Sequence, residues 1–564
     1  MSKSNKKKIK KWKQSIGILS NIASTPNMHV HTNDNLSLRH VLRLKHQEQQ
    51  VIRLQEADDC TFSLSSQDDD VDSTAALVQW LEERGVQNST VDIRASAIPG
   101  AGNGVFVADG IQDGIVTKGT TVITVPTSLM ISSLTAMQEP TLRPLFAASS
   151  VLQQQPSLQL ALLLLREAYK ADKGEYHAYI STFPSTFTLP LWWDVNKLQK
   201  LRGMSALRAV ARNVVSFARY YCHIHDLLST QYANGGKKTK KSSSSSSSSP
   251  QTMPFPLTYF TINNFKWAMS VVMTRQNPVP YKNNAGQVAG RCLALVPVMD
   301  MVNHGAELEH GVFYDDTTDT VNVACTIDTK AGEEVRMYYG DRTNQELLVH
   351  SGFVASDNRN DAITIVVQIS GGNDPLHKVR LMVLRNEGIV GVSVECEDSM
   401  NQEEKTKDGA VRHSSKSVVT SSPCGYDAAA DAETSPNANL ICPVCSAAGN
   451  GTSRVNFEFE IKYGDIGQLE TFVQIQLLDK DGIRAMLTKK KEINMGETLA
   501  ALPLNGCVTS SKDATRADKL KWAMQRYLQC ALCRLNRYAT ESAVVSLVDV
   551  RREQEAALLS SFLL

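Results

Sequence analysis

Three polar side chains that follow an apolar strand are the first candidates for chemistry. The segment LALVPVMDMVNHG runs from apolar residues into Asp300, Asn303 and His304. An asparagine beside a histidine supplies both hydrogen-bond donors and acceptors, which suits the edge of an adenine or a ribose. A metal site formed by His304, His310 and Asp300 is the alternative, but their spacing matches no usual zinc pattern. The segment therefore predicts a site for an organic ligand and no metal.

A second candidate pair, Arg275 and Asn277, stands where an apolar helical pattern stops. In FKWAMSVVMTRQNPVP the apolar residues recur at helical spacing up to Asn277 and Pro278. Because a residue before proline is disfavoured in the helical region, the helix is predicted to end here. The two polar side chains would then project into a cleft. An ordinary helix cap without chemistry is the alternative interpretation.

A glycine-rich turn and a tyrosine complete the candidates. In AIPGAGNGVFVADGI, Gly102 and Gly104 precede an apolar strand, so the backbone can approach a ligand closely. A turn without a chemical role is the alternative, since the lysine of a phosphate-binding loop is missing. The strand EVRMYYG ends in Tyr339, whose hydroxyl group can reach into a pocket or pack in the core.

Short strands and a helical insertion must position these residues. The stretches VTKGTTVITVP, RCLALVPV, VNVACTI and EVRMYY are rich in β-branched residues and bounded by Gly, Pro or Asp, as strands are. STAALVQWLEERG begins the ordered region as a helix. We predict an α+β catalytic domain over 73–354, with a helical insertion at about 157–290. Ser242–Ser249 lie in a loop, 233–255, that is predicted to be disordered.

Composition sets the limits of the other regions. Residues 1–72 are predicted to be a disordered basic segment, whose Lys3–Lys13 cluster is either a nuclear-import signal or a solvated tail. Residues 355–564 are predicted to form a helical domain, which follows one strand-like run, DAITIVVQI, and is interrupted by a low-complexity insertion at 395–455.

Charge and hydropathy exclude several classes of partner. Lys and Arg number 59 against 58 Asp and Glu, so no overall field favours nucleic acid or an acidic membrane. The longest apolar run, Leu158–Leu165, is far shorter than the roughly 20 residues that span a bilayer. Eleven cysteines without an apolar leader indicate a reducing compartment. We expect a cytoplasmic monomer, with the nucleus as a second location, that binds neither nucleic acid nor membrane.

Two cysteine pairs have the spacing of metal ligands. Cys442 and Cys445 form half of a zinc knuckle, which Cys396 and Cys424 would have to complete. A solitary CxxC in low-complexity sequence supplies only two thiolates. The second pair, three apart in the segment LQCALCRL, fits buried helix cysteines. Neither pair leads us to predict a metal.

Taken in chain order, the four segments resemble the SET-domain methyltransferases, whose signature is a GxG-type first strand, an asparagine–histidine pair and a later tyrosine–glycine. The region after SGFV resembles the C-terminal substrate-binding domain of the Rubisco large-subunit methyltransferase type. WAMSVVMTRQNPVP and YYGDRTNQELLVHSGF resemble the actin-histidine N-methyltransferases. The resemblance implies a SET β-fold with an inserted helical region, followed by an all-α C-terminal domain.

The resemblance also implies a cofactor, S-adenosyl-L-methionine, and a role for each matching residue. Tyr339 and Asn277 would act on the target nitrogen, and Met299 and Arg342 would contact the substrate protein. The cofactor would be bound by Gly102, Gly104, Arg275, Asp300, Asn303, His304, Ser351 and Phe353.

Two positions depart from the family pattern. Met299 stands where histidine-modifying members have a tryptophan, which changes the shape of the target pocket. Phe106 stands where members carry a basic residue that meets the cofactor carboxylate. The prediction is protein-histidine N-methylation, on the tele nitrogen of an actin histidine. The alternatives are lysine methylation of a non-histone protein and a SET-fold binding module without turnover.

Overall fold

A computed structural model describes residues 38–57, 73–235, 253–370 and 376–394, with short gaps at 87, 99, 202–203, 306–308, 357, 387 and 390–391. It also describes 454–462, 468–478 and a few single residues between 481 and 556. The Ser-rich run, most of the 395–455 insertion and both cysteine pairs lie outside these residues. No described helix is both long enough and apolar enough to cross a membrane.

Twelve short strands are described between residues 91 and 337, and they pair into small sheets. They are β1 (Val91–Ala95), β2 (Asn103–Val107), β3 (Ile115–Val116), β4 (Thr121–Pro126), β5 (Ile131–Ser132), β6 (Asn277–Lys282), β7 (Val288–Leu295), β8 (Asn303–His304), β9 (Val312–Asp315), β10 (Thr320–Ala324), β11 (Thr329–Lys330) and β12 (Glu334–Met337).

The sheet that matters for the site has the order β1-β2-β12-β8. Its β8 and β12 run parallel, with Asn303 opposite Arg336 and His304 opposite Met337. The other three sheets of this region have the orders β4-β10-β9, β5-β7-β6 and β11-β3. The four strand-like stretches predicted from composition therefore all form strands.

Helices fill the space between the sheets. They are α1 (Leu38–Ala57), α2 (Ser73–Glu82), α3 (Ser133–Gln138), α4 (Arg143–Ala147), α5 (Ser150–Gln154), α6 (Pro156–Lys170), α7 (His177–Ile180), α8 (Val195–Gln199), α9 (Ala206–Gly235), α10 (Ile262–Arg275) and α11 (Asn344–Ser351). The apolar run of α6 is buried throughout and packs against α10. The insertion predicted as helical to about residue 290 ends earlier, because β6 and β7 follow α10.

Residues 1–72 were predicted to be disordered, but Leu38–Ala57 form the helix α1. There α1 buries Val41 and Leu44 in the core. It also buries Lys45 and Glu48, at 2% and 0% exposure, on the same stripe. Two of the four residues on the buried stripe are charged, so the segment has the composition of a solvated tail although it packs as a core helix.

A cluster of three buried charges attaches α1 to α10. Oε1 of Glu48 accepts from Nζ of Lys45 at 2.9 Å and from Nζ of Lys266 at 2.6 Å. Lys45 also donates to the carbonyl of Leu191 at 2.8 Å. Burial alone would raise the pKa of Glu48, but the two lysines lower it. Burial lowers the pKa of Lys45, and Glu48 opposes that shift.

The region after residue 354 is not all-α as predicted. It contains a three-stranded antiparallel sheet, ordered β13-β15-β14, beside the helices α12 (His377–Asn386) and α13 (Gln468–Leu477). The strands are β13 (Ala362–Ser370), β14 (Val392–Val394) and β15 (Arg454–Lys462). The segment RVNFEFEIK alternates apolar and polar residues with the period of a half-buried strand, and this period outweighs the helical propensity of the flanks.

Candidate functional site

A strained turn places Asp300 at the end of β7. Val298 has φ +64° and ψ −49°, and the amide of Met299 donates to the carbonyl of Pro297 at 2.7 Å. These values define a γ-turn of the rarer, positive-φ type, which is unfavourable for a β-branched residue. The chain reverses within three residues, and Asp300 is the middle residue of the short 3₁₀ helix Met299–Met301 that follows. Backbone strain of this kind is typical of functional sites.

Asp300 lies in a buried polar group with Arg275 and Tyr179. Its Oδ2 accepts from the Tyr179 hydroxyl at 2.5 Å, and its carbonyl accepts from Nη1 of Arg275 at 2.9 Å. Its second carboxylate oxygen, Oδ1, is buried and accepts no hydrogen bond from any described residue. The nearest cation, Nη1 of Arg275, is 3.6 Å from Oδ1. This oxygen is therefore available to a donor that the chain itself does not supply.

Burial raises the pKa of Asp300 from 3.8 to about 6, against the opposing effect of Arg275. The folded state thus binds a proton more tightly than the unfolded chain. Stability from this group is complete below pH 3.8 and is lost as the pH rises through about 6. As the pH rises from 4 to 7, we expect the free energy of unfolding of Asp300→Asn to increase by on the order of 3 kcal/mol relative to that of the wild-type protein.

Urea titrations of the free protein across this pH range measure that difference. Parallel stability curves for the two proteins would contradict the raised pKa of Asp300.

A second part of the site joins β2, β8 and β12. Nδ2 of Asn303 donates to Oε1 of Glu334 at 2.8 Å and to the carbonyl of Asn103 at 3.3 Å. Gly104 lies beneath this pair, and a Cβ at that position would be 2.2 Å from Oε1 of Glu334. Glycine is required here because the Glu334 side chain occupies the space of a Cβ. The side-chain oxygen of Asn303, Oδ1, has no donor among the described residues and can accept from a ligand.

We expect Gly104→Ala to lower the free energy of unfolding by about 1–3 kcal/mol, because an added methyl group displaces the Glu334 carboxylate or the strand. Thermal and urea unfolding measure the loss. Gly110→Ala is the matched control, since a Cβ there meets no atom within 4 Å. Equal losses in the two variants would show that the contact with Glu334 is unimportant.

The third part is an aromatic group around His304. The amide of Tyr339 donates to Nδ1 of His304 at 3.3 Å, and the Tyr339 hydroxyl donates to the carbonyl of Val302 at 3.0 Å. The ring of Phe353 lies 5.7 Å from that of His304 and 6.3 Å from that of Tyr339. Burial lowers the pKa of His304, although a hydrogen bond with the Met337 backbone acts to raise it, so the imidazole stays neutral.

The predicted segments converge on Tyr339. Burial raises the pKa of its hydroxyl to about 12, and the charges of Arg275, Asp300, Arg342 and Glu334 all act on it. These groups come from α10, the turn after β7, the segment before α11, and β12. The tyrosine stays protonated at neutral pH, and its hydroxyl group donates to the Val302 carbonyl. Charged side chains from four parts of the chain thus act on one neutral hydroxyl group.

Asn277 lies at the start of β6, two residues beyond the end of α10, as predicted. Its Nδ2 donates to the carbonyl of Arg275 at 3.0 Å. That bond fixes the orientation of the amide, whose Oδ1 has no donor in the described part of the chain.

The remaining predicted residues are less closely joined. Met299 is 2% exposed and packs in the core. The Arg342 carbonyl accepts from Asn358 at 2.8 Å. Gly102 has φ +72° in the turn before β2, and Ser351 is the last residue of α11. Their predicted roles stay predictions.

Sequence reasoning missed three residues of this site. Tyr179 donates to Asp300, and Glu334 accepts from Asn303. The ring of Phe183 lies 5.4 Å from the Arg275 guanidinium. The alternation of β12 indicates that Glu334 is on the same face as Arg336, but nothing in the helical insertion marks Tyr179 or Phe183. Their proximity to Asp300 comes only from tertiary packing.

Arg94 is a basic residue beside Phe106, but its guanidinium is already paired. The Arg94 guanidinium lies 5.8 Å from the Phe106 ring, but it is bonded to Asp92 at 2.7 Å and Asp109 at 2.8 Å.

Comparison with solved structures defines the class of fold. The chain superposes on the SET domain of LSMT bound to lysine and AdoHcy with a TM-score of 0.54, covering 87% of this chain and 91% of that chain at 17% identity. Rubisco LSMT bound to sinefungin and monomethyllysine gives a TM-score of 0.53 with the same coverage and identity. The chain is a SET-fold protein, and the predicted α+β architecture is confirmed.

Sequence comparison points to one group of SET proteins. The chain is 30% identical over 273 residues to an actin-histidine N-methyltransferase of Canis lupus familiaris, which is 48% of this chain and 42% of that protein. The Gallus gallus protein of the same name is 28% identical over 328 residues, 56% and 48% of the two chains. The chain thus spans less than half the length of these relatives. No protein-family model matches it. The predicted resemblance to this group is confirmed.

Proposed function

We propose that the protein is an S-adenosyl-L-methionine-dependent protein-histidine N-methyltransferase that acts on the tele nitrogen of an actin histidine. The observation that carries the proposal is the amide of Asn277. It is oriented by the carbonyl of Arg275, the residue whose guanidinium donates to the Asp300 carbonyl, and its Oδ1 has no donor among the described residues.

The residues present fit the cofactor. The buried Oδ1 of Asp300 lacks a donor, and an ammonium group would supply one. Oδ1 of Asn303 offers an acceptor suited to an adenine or ribose, next to the strand in which Gly104 lies against Glu334 and Asn303. When bound, the cofactor supplies a methyl group on a sulfonium, and transfer to nitrogen breaks the carbon–sulfur bond with its electron pair leaving on sulfur.

Histidine suits a site that contains no strong base. A histidine target has an ordinary pKa of about 6.5 and is mostly neutral at pH 7. A lysine must first lose a proton, which costs roughly 4–5 kcal/mol at that pH. Near Tyr339, the Glu334 carboxylate already accepts from Asn303, and Nδ1 of His304 already accepts from the Tyr339 amide. Asp300 keeps one free oxygen, which we assign to the cofactor ammonium, and Arg275 and Arg342 are cations. These groups align a nucleophile better than they deprotonate one.

Asn277 would select which imidazole nitrogen reacts. Its Oδ1 accepts from the N–H of one ring nitrogen and leaves the lone pair of the other directed at the methyl group. The ring becomes cationic on transfer, so this hydrogen bond strengthens in the transition state. The proton on the bonded nitrogen then leaves to solvent. Tyr339 would hold the reacting nitrogen in line, and Arg342 would contact the target protein.

Actin is the favoured target because the sequence relatives are named for it. The MTRQN and YYGDR segments, which contain Asn277 and Arg342, are the residues of this chain that resemble that group. We propose the cytoplasm as the location, in keeping with such a partner.

Lysine methylation is the second candidate. The structural relatives include Rubisco LSMT bound to monomethyllysine, and Met299 replaces the tryptophan of histidine-modifying members. A flexible, buried methionine permits a longer and narrower target side chain than a tryptophan does. A SET-fold binding module without turnover is the third candidate.

Two measurements separate the three candidates. Calorimetric titration with S-adenosyl-L-methionine tests cofactor binding, and incubation with a cell lysate and methyl-labelled cofactor, followed by site-resolved mass spectrometry, identifies the acceptor. The proposal predicts saturable binding and label on histidine. Label on lysine would establish the second candidate. Binding without label, or no binding, would overturn both enzymatic candidates.

A further inference from the structure

A cleft lies along the hairpin formed by β6 and β7. Its volume is about 280 Å³, and α3, α5 and α6 form its opposite wall. Pro278 faces Leu293 across the hairpin, and both line the cleft. Asn277, paired with Ala294, points to the opposite face, since successive residues of a strand alternate. None of the residues described around Tyr339 lines the cleft, so the two places are separate, although both include residues of β6.

The lining of this cleft combines apolar residues with neutral polar residues and one cation. Its apolar residues are Leu134, Met137, Pro156, Pro278 and Leu293. Arg291 is exposed and forms no ion pair or hydrogen bond with any described residue. None of the lining residues carries a carboxylate. Pro156, which lines the cleft, is the first residue of α6. The side chain of the preceding residue, Gln155, makes no capping hydrogen bond to this helix. The cation and the positive end of that helix both favour a negative charge.

Backbone pairing does not explain how a protein would bind at this hairpin. The edge strand of the sheet β5-β7-β6 is β6, and Pro278 and Pro280 remove two of its amide donors. A chain added to this edge would lack those hydrogen bonds. Binding must therefore rest on side chains that enter the cleft.

We propose that the cleft binds a segment of the protein substrate in which an apolar side chain is followed by acidic residues. This inference rests on the proposed function, because the bound segment belongs to the protein whose residue reaches Asn277. The apolar side chain packs on Leu134, Met137 and Leu293, and a carboxylate pairs with Arg291. A target protein would pass around the edge of β6 and contact both faces of the hairpin.

Cys292 provides a direct readout, because this half-buried residue also lines the cleft. Three synthetic peptides, containing Leu-Glu-Glu, Leu-Lys-Lys or Gly-Glu-Glu between glycines, are added at millimolar concentration during alkylation with N-ethylmaleimide. Peptide mapping that separates Cys292 from the other cysteines gives its rate. Burial raises the pKa of this thiol, so the reaction is followed at alkaline pH.

We expect only the Leu-Glu-Glu peptide to slow alkylation, by at least about threefold for a site that is mostly filled. Arg291→Glu abolishes the protection, and Lys330→Glu, an exposed cation on β11, leaves it intact. Equal protection by the lysine peptide, or none by any peptide, would overturn the proposal. Faster alkylation in Arg291→Glu without any peptide would show that a segment of this chain or a second copy already fills the cleft, which also overturns it.

A second arm uses actin and methyl transfer. Arg291→Glu is expected to raise KM about tenfold, equivalent to about 1.4 kcal/mol, with kcat nearly unchanged. No transfer by the wild-type protein would count against the proposed function alone, since protection of Cys292 is measured without it. An unchanged KM in Arg291→Glu would count against the cleft alone.

Discussion

Replacing Asn277 with alanine is expected to lower kcat/KM for methyl transfer about a hundredfold, most of it in kcat. Loss of a hydrogen bond to a group that becomes charged removes roughly 2–3 kcal/mol of transition-state stabilisation. The amide is already oriented by the Arg275 carbonyl, so its acceptor needs no rearrangement when the target arrives. Steady-state kinetics with labelled cofactor measures the change.

Two controls distinguish this role from a structural one. Asn196→Ala removes an exposed amide from α8 and should leave the kinetics unchanged. Asn277→Ala itself should keep the thermal midpoint and the cofactor affinity of wild type, since the side chain makes one local hydrogen bond. If Asn277→Ala retained full kcat on a histidine, Asn277 would not orient the ring.

Glu48→Gln is expected to destabilise the protein by about 3–5 kcal/mol, the largest stability effect among our predictions. Both lysine amines of the cluster share Oε1 of Glu48, and the amines and the carboxylate are almost fully buried. A neutral amide leaves two buried cations without a counter-charge. Urea unfolding gives the difference, and Glu82→Gln on the exposed face of α2 is the matched control.

A triple variant tests the mechanism of that loss. Lys45→Met, Glu48→Leu and Lys266→Met together remove all three charges, and replacement of a buried ionic group by apolar residues is often neutral or stabilising. We expect the triple variant to recover most of the stability lost in Glu48→Gln. A triple variant less stable than Glu48→Gln would show that the shape of the cluster, rather than its charge balance, determines stability.

The sequence was most informative where local rules coincide with the fold. Asn277 before a proline marks the end of α10, and the β-branched runs mark β4, β7, β10 and β12. The order of the four segments was sufficient to predict the SET fold. Each of these signals acts over a few residues and does not depend on distant packing.

Other features depend on partners far away in the chain. The buried charges of α1 resemble a solvated tail until Lys266, over 200 residues later, is placed beside Glu48. Val298 gives no sign of a positive φ, because β-branched residues disfavour it. The bond from Tyr179 to Asp300 joins a helix to a turn 121 residues away. Local patterns cannot predict such contacts, and they shape much of the candidate site.

The most direct test of the account is site-resolved mass spectrometry of purified actin after incubation with the protein and methyl-labelled cofactor. Wild type, Asn277→Ala and Tyr339→Phe are compared. The account predicts one labelled histidine in actin, with less label in both variants. Label on actin lysines, or none despite cofactor binding, would contradict it.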